Sequence, residues 1–158
     1  MDGRLVFLLA SLAIVSDALN CGIEHNELNN IKNIFFKVRN VVQADDVDHN
    51  LRILTPALLN NITVSETCFF IYDMFELYLN DVFVKYTNTA LKLNILKSLS
   101  SVANNFLAIF NLCVKICRRV KKNNVNVLEI KKLLLIDNNC KKLFSEIDIF
   151  LTWVMAKI

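Results

Sequence analysis

The 158-residue chain contains only two glycines and one proline. A β-sandwich or an α/β enzyme of this size normally uses many more of both in its turns. The shortage predicts long helices joined by polar loops rich in Asn and Asp. It also removes whole classes of chemistry. With Gly3 and Gly22 as the entire supply, no glycine-rich loop can cradle a phosphate. No GxSxG turn, HExxH motif or EF-hand loop occurs. The two histidines, His25 and His49, lie far from any cysteine in sequence and there is no CxxC pair, so neither a metal site nor another cofactor is expected. Cys–His nucleophilic catalysis would need one of these histidines beside a cysteine that disulfides consume. The Asp45-Asp46 pair reads as a polar loop rather than an acid–base couple. A net charge of +3 is too small to imply nucleic acid. The sequence is not that of an enzyme.

What is present begins at the amino terminus. Arg4 precedes an apolar run over residues 5–15, followed by Ser16-Asp17-Ala18, with small residues where a signal peptidase reads. The run has about half the ~20 apolar residues that a transmembrane helix needs. Residues 1–18 are therefore expected to be a signal peptide, leaving a mature domain of residues 19–158 that is secreted. No later apolar run reaches spanning length; residues 133–136 are closely flanked by Lys131, Lys132 and Asp137. No stable membrane insertion is expected.

Export makes disulfides the default use of Cys21, Cys68, Cys113, Cys117 and Cys140. Five cysteines leave the pairing open and one thiol over. Cys113 and Cys117, four apart on a helix, share a face and would staple other segments to it rather than bond each other. Asn61-Ile62-Thr63 is an N-glycosylation sequon placed just after Pro56 and ahead of a helix start, which makes Asn61 the expected glycan site.

Apolar residues at three- and four-residue steps mark the helices. Leu28, Ile31, Phe35, Val38 and Val42 predict one over 24–42, interrupted by Gln43-Ala44-Asp45-Asp46. A short second helix through Leu51, Ile53 and Leu54 would end at Thr55-Pro56. Thr63-Val64-Ser65-Glu66 has the capping-box pattern and would start a buried helix over 65–86. Ile95, Leu99, Val102, Phe106, Ile109, Cys113, Ile116 and Val120 predict a helix approaching 40 Å. Its end is crowded by Lys115, Arg118, Arg119, Lys121 and Lys122, where cations suit the helix dipole; heparan sulfate binding is the functional alternative for that cluster. A shorter helix over 127–136 and a last one carrying Leu143, Phe144, Ile147, Phe150, Leu151 and Val154 complete an all-α antiparallel bundle of about six helices.

Four segments resemble the interleukin-20 subgroup of interleukin-10-like cytokines. Val42-Gln43-Ala44-Asp45-Asp46 with Arg52-Ile53-Leu54 is similar to the loop after the first helix. Leu77-Tyr78-Leu79-Asn80-Asp81-Val82-Phe83-Val84-Lys85-Tyr86 resembles the third helix. Leu96-Lys97-Ser98-Leu99-Ser100-Ser101-Val102-Ala103-Asn104-Asn105-Phe106 resembles the fourth. Glu146-Ile147-Asp148-Ile149-Phe150-Leu151-Thr152-Trp153 resembles the last.

The resemblance spans essentially the whole mature chain and implies a helical cytokine, typically monomeric. Such a ligand joins a class II cytokine receptor heterodimer: interleukin-20 receptor beta with interleukin-20 receptor alpha or interleukin-22 receptor alpha. Janus kinase and STAT signalling would follow. An interleukin-10-type pairing would join Cys21 to Cys113 and Cys68 to Cys117; a two-cysteine member implies Cys21 to Cys68 instead. Cys140 has no clear family equivalent, and the stretch between Cys117 and Glu146 is shorter than in these cytokines. The Asn-, Lys- and Ile-heavy composition would fit a viral homologue captured by an AT-rich large DNA virus.

The receptor-binding residues expected are Gln43, Ala44, Asp45, Asp46, Asn50 and Arg52 in the loop, with Lys37 on the first helix and the exposed edge of the last helix. The resemblance carries the loop motif; Lys37 and Asn50 follow from polarity. For Arg52 an internal salt bridge to Asp45 or Asp46 is the competing role, and for Trp153 a core role outweighs a receptor anchor. Charge reversal at Asp45 and Asp46 is expected to weaken receptor binding without altering melting. A receptor-occupying antagonist would need the same fold. A secreted helical lipid carrier would need an internal apolar cavity, and saposin-like carriers usually space six cysteines differently.

Overall fold

A computed structural model describes residues 22–46, 51–117, 125–135 and 139–158, without the side chains of 114–117 and 125. The expected leader, Cys21, Asn50, the side chain of Cys117 and the basic cluster from Lys115 to Lys122 lie outside the described side chains. Every regular element among the described residues is helical: α1 His25–Phe36, α2 Arg39–Asp45, α3 Pro56–Asn60, α4 Thr67–Leu77, α5 Phe83–Lys92, α6 Leu96–Cys117, α7 Val125–Leu133, α8 Asn139–Ser145 and α9 Ile147–Lys157. The all-α class expected from the shortage of Gly and Pro is the class observed.

The stripe from Leu28 to Val42 is buried along its length, but its helix breaks into α1 and α2 at Lys37-Val38, where Val38 N–H bonds only three residues back to Phe35. The expected helix through Leu51, Ile53 and Leu54 does not form. Thr55-Pro56 starts a helix here instead of ending one. Thr55 Oγ1 accepts from Leu58 N–H at 3.1 Å, and Pro56 takes the first turn of α3, where a missing N–H costs nothing. The capping box ahead of α4 is present: Glu66 Oε2 accepts from the Thr63 amide at 3.3 Å.

From Thr67 the chain stays helical to Lys92, six residues past the expected end, through a π-helical turn at Tyr78–Val82 between α4 and α5. It ends in a Schellman motif. Ile95 N–H reaches back to Ala90 and Asn94 N–H to Leu91, with Asn94 at φ 59° filling the left-handed position usually given to glycine.

That turn makes α4–α5 and α6 an antiparallel hairpin. Tyr72 meets Phe110 and Phe75 meets Phe106, so positions rise along one arm of the hairpin as they fall along the other; Phe83 packs on Phe106 as well. α1 and α9 run antiparallel by the same logic: His25 contacts Ile158, Lys32 Nζ donates to Thr152 Oγ1, and Arg39 pairs with Asp148.

Between these layers sits an aromatic core of Phe75, Tyr78, Phe83, Phe106 and Phe150, continued by Phe35, Tyr86 and Phe144. All eight are buried, and edge-to-face pairs predominate, as ring quadrupoles favour. Trp153 is half-buried with its edge against Phe70, in the packing role expected for it. Among the described residues, no helix is long and apolar enough to cross a membrane.

Candidate functional site at the loop after α2

The described stems of the loop between α2 and α3 meet the junction between α8 and α9, and four polar side chains there hold them. The apolar stripe of the last segment predicts one helix, but the chain divides at Glu146, whose backbone (φ −97°, ψ 11°) leaves the helical region between α8 and α9. Glu146 is nonetheless 4% exposed. Its carboxylate lies across residues 51–54: Oε2 accepts from Ile53 N–H at 3.0 Å and Oε1 from Leu54 N–H at 2.8 Å. Ile53 and Leu54 are buried and lack a helix to satisfy their amides, so the two carboxylate oxygens replace the missing backbone acceptors. This is why the expected short helix gives way to a bent, non-helical stem.

Four residues earlier, buried Lys142 forms an ion pair with Asp46, itself only 8% exposed. Ser145 Oγ donates to Asp46 Oδ2 at 3.3 Å. Lys141 adds a half-exposed pair to Asp45 at 3.4 Å. Burial raises the Glu146 carboxyl above its ordinary value, opposed by the Ile53 and Leu54 amides and then by the charges of Lys142 and Arg52. The same junction is tied inward as well. Tyr78 on the π turn donates its hydroxyl to Leu143 O at 2.8 Å, and Cys140 Sγ–H points to Val82 O at 3.3 Å. Burial pushes the Cys140 thiol up to about 11, with Lys85 lowering it and Asp81 raising it.

Above these contacts a cleft of about 220 Å³ opens between Gln43, Asp46, Leu51, Arg52, Lys142, Ser145, Glu146 and Ile149. Of the residues expected in the site, the structure brings Gln43, Asp46 and Arg52 to this cleft. Asp45 stands beside it in its pair with Lys141. Ala44 and Lys37 are exposed but do not line it, and Asn50 lies outside the described residues. Arg52 forms no ion pair with Asp45 or Asp46; it is exposed and donates from Nε to Leu54 O at 2.6 Å. The acidic residues instead pair with lysines of α8. Asp46 is thus an internal structural charge, and its reversal is expected to lower melting as well.

Sequence reasoning missed Lys141, Lys142, Ser145 and Glu146. A signal existed: Lys142 and Glu146 are charges spaced four apart inside an otherwise apolar stripe, the pattern of a buried polar bridge. It also passed over Phe36, which is 70% exposed next to Lys37 at the end of α1 and, with exposed Val41 and Leu51, adds apolar surface in the same part of the chain.

Asn61 is exposed beyond α3. Cys68 is disulfide-bonded, its partner lying outside the described side chains. Cys113 is fully buried on the core-facing stripe of α6, and Cys21 lies outside the described residues. Among the described residues, no cluster of His, Cys, Asp and Glu could hold a metal ion.

No protein-family model matches the chain. It is similar to interleukin-24 of Rattus norvegicus, 32% identical over 128 residues that cover 76% of this chain and 70% of the relative. It is 29% identical to interleukin-24 of Mus musculus over 143 residues, 85% of this chain and 79% of the relative. Interleukin-24 of Homo sapiens is 30% identical over 76% of this chain and 62% of its own length. An all-helical bundle with this degree of likeness over most of its length has one reading: the chain is a cytokine and belongs to the interleukin-10 family, in its interleukin-20 subgroup.

Proposed function

We propose that the chain is exported, loses residues 1–18, is glycosylated at Asn61, and acts as a monomeric ligand that joins two class II cytokine receptor chains. The pair is interleukin-20 receptor beta with interleukin-20 receptor alpha or interleukin-22 receptor alpha, and the outcome is Janus kinase and STAT activation. The observation that carries the reading is the loop after α2, which bears the subgroup's motif and whose second described stem is held by Glu146 beside exposed Leu51 and Arg52 and half-buried Gln43. A pre-shaped loop suits recognition because little ordering entropy is lost when a partner binds. Among the described residues the interior is filled by aromatic rings packed against one another, which favours a signalling ligand over a carrier.

The test is to add purified protein to cells carrying each receptor pair and follow STAT phosphorylation. Phosphorylation through one or both pairs, lost when receptor beta is absent, is the expected result. Binding without phosphorylation would make the chain an antagonist of the same receptors, and no binding to either pair would overturn the reading.

A further inference from the structure

The loop has two described stems, residues 43–46 and 51–54, and both are fastened to one five-residue stretch, 142–146. Asp46 on the first stem is held by Lys142 and Ser145. On the second, Glu146 binds two consecutive amides, those of Ile53 and Leu54. The Leu54 carbonyl in turn accepts from Arg52 Nε at 2.6 Å. One chain of contacts therefore runs from the Glu146 carboxylate through Leu54 to the guanidinium of Arg52. Glu146 is 4% exposed and cannot itself offer a partner much surface, whereas Arg52 is exposed.

We propose that Glu146 is a positioning residue for receptor recognition: it fixes Ile53 and Leu54 so that Arg52 is presented in its binding geometry before the partner arrives. The inference rests on the receptor-ligand reading above. Its physical basis is population: apparent affinity falls by the fraction of molecules whose loop is competent to bind. Without Glu146, two neighbouring amides on a non-helical stem lose their acceptors and seek water or other partners. The loop then spends most of its time in other shapes. That loss falls on the association step, because only a competent loop can be captured, while a complex once formed keeps its contacts.

The experiment uses the whole secreted chain, with Glu146→Gln compared with Arg52→Ala. Amide exchange is read at Ile53 and Leu54, and association and dissociation rates are measured against soluble ectodomains of the three receptor chains. For Glu146→Gln, exchange at Ile53 and Leu54 should accelerate at least about tenfold with α6 amides unchanged. The association rate should fall about tenfold, with dissociation within about twofold of wild type. Arg52→Ala should do the reverse, dissociating faster with exchange unchanged. Should Glu146→Gln not be secreted folded, Glu146→Asp, which keeps the charge on a shorter arm, carries the same comparison. Faster exchange with an unchanged association rate would overturn the positioning role, as would a binding loss that merely tracks the unfolded fraction. Wild-type protein that binds none of the ectodomains would instead overturn the receptor reading, and the positioning role with it.

Discussion

Glu146 sets two measurable properties of the domain. Replacing it with Ala leaves the Ile53 and Leu54 amides buried without an acceptor. Each such group costs about 1–3 kcal/mol, so Glu146→Ala should destabilise by about 2–4 kcal/mol in chemical denaturation. Its titration has the opposite sense to that of an ordinary exposed salt-bridged acid. Burial raises its folded value above the ordinary 4.5, so the folded state keeps the proton to higher pH than the unfolded chain does. Stability then falls as pH climbs from about 4.5 through the raised folded value, and is greatest from this group below that window. Glu146→Gln should flatten that part of the profile. A pair of tyrosines makes a sharper contrast. Tyr78 gives its hydroxyl to Leu143 O, while the buried Tyr86 hydroxyl, its ring stacked on Phe144, finds no hydrogen-bond partner among the described residues. Tyr78→Phe should cost about 1 kcal/mol, and Tyr86→Phe should be neutral or stabilising by melting.

At the scale of elements, the turn between α5 and α6 offers the cleanest test. Asn94 occupies a left-handed conformation that a Cβ penalises. Asn94→Ala should lower stability by about 1 kcal/mol and Asn94→Gly should not, measured side by side. What the sequence made legible follows from the same physics. Long stripes such as Ile95 to Cys113 state their own periodicity, so α6 and the α4–α5 segment were readable. The breaks were not. Val38 and Glu146 interrupt stripes whose spacing runs on unbroken across them, because apolar residues on both sides face one core. Thr55-Pro56 can end a helix or begin one, and only the burial of Ile53 and Leu54 beneath Glu146 decides which. The site was half legible for a related reason. Gln43, Asp46 and Arg52 are close enough in sequence to form a motif, while Lys142, Ser145 and Glu146 reach Asp46, Ile53 and Leu54 from 92 to 99 residues away, a pairing that no local pattern encodes.

At the scale of the whole molecule, the loop behaves as part of the core on one side and as surface on the other. Asp46→Lys would set a like charge against buried Lys142 and should cost about 3–5 kcal/mol, the penalty for breaking a buried pair. Asp45→Lys, opposite half-exposed Lys141, should stay within about 1 kcal/mol. The two reversals, once expected to act alike on binding alone, should therefore separate in a melting experiment. A further consequence concerns manufacture in the cell. The groups that hold the loop's stems are translated 92 to 99 residues after the stems themselves, so a growing chain leaves those stems unheld until α8 and α9 emerge and dock. A message cut short before residue 146 would yield a product whose stems lack this bracing, even with α1 to α6 already made. Translation through residue 146 thus becomes a checkpoint for the recognition surface proposed above.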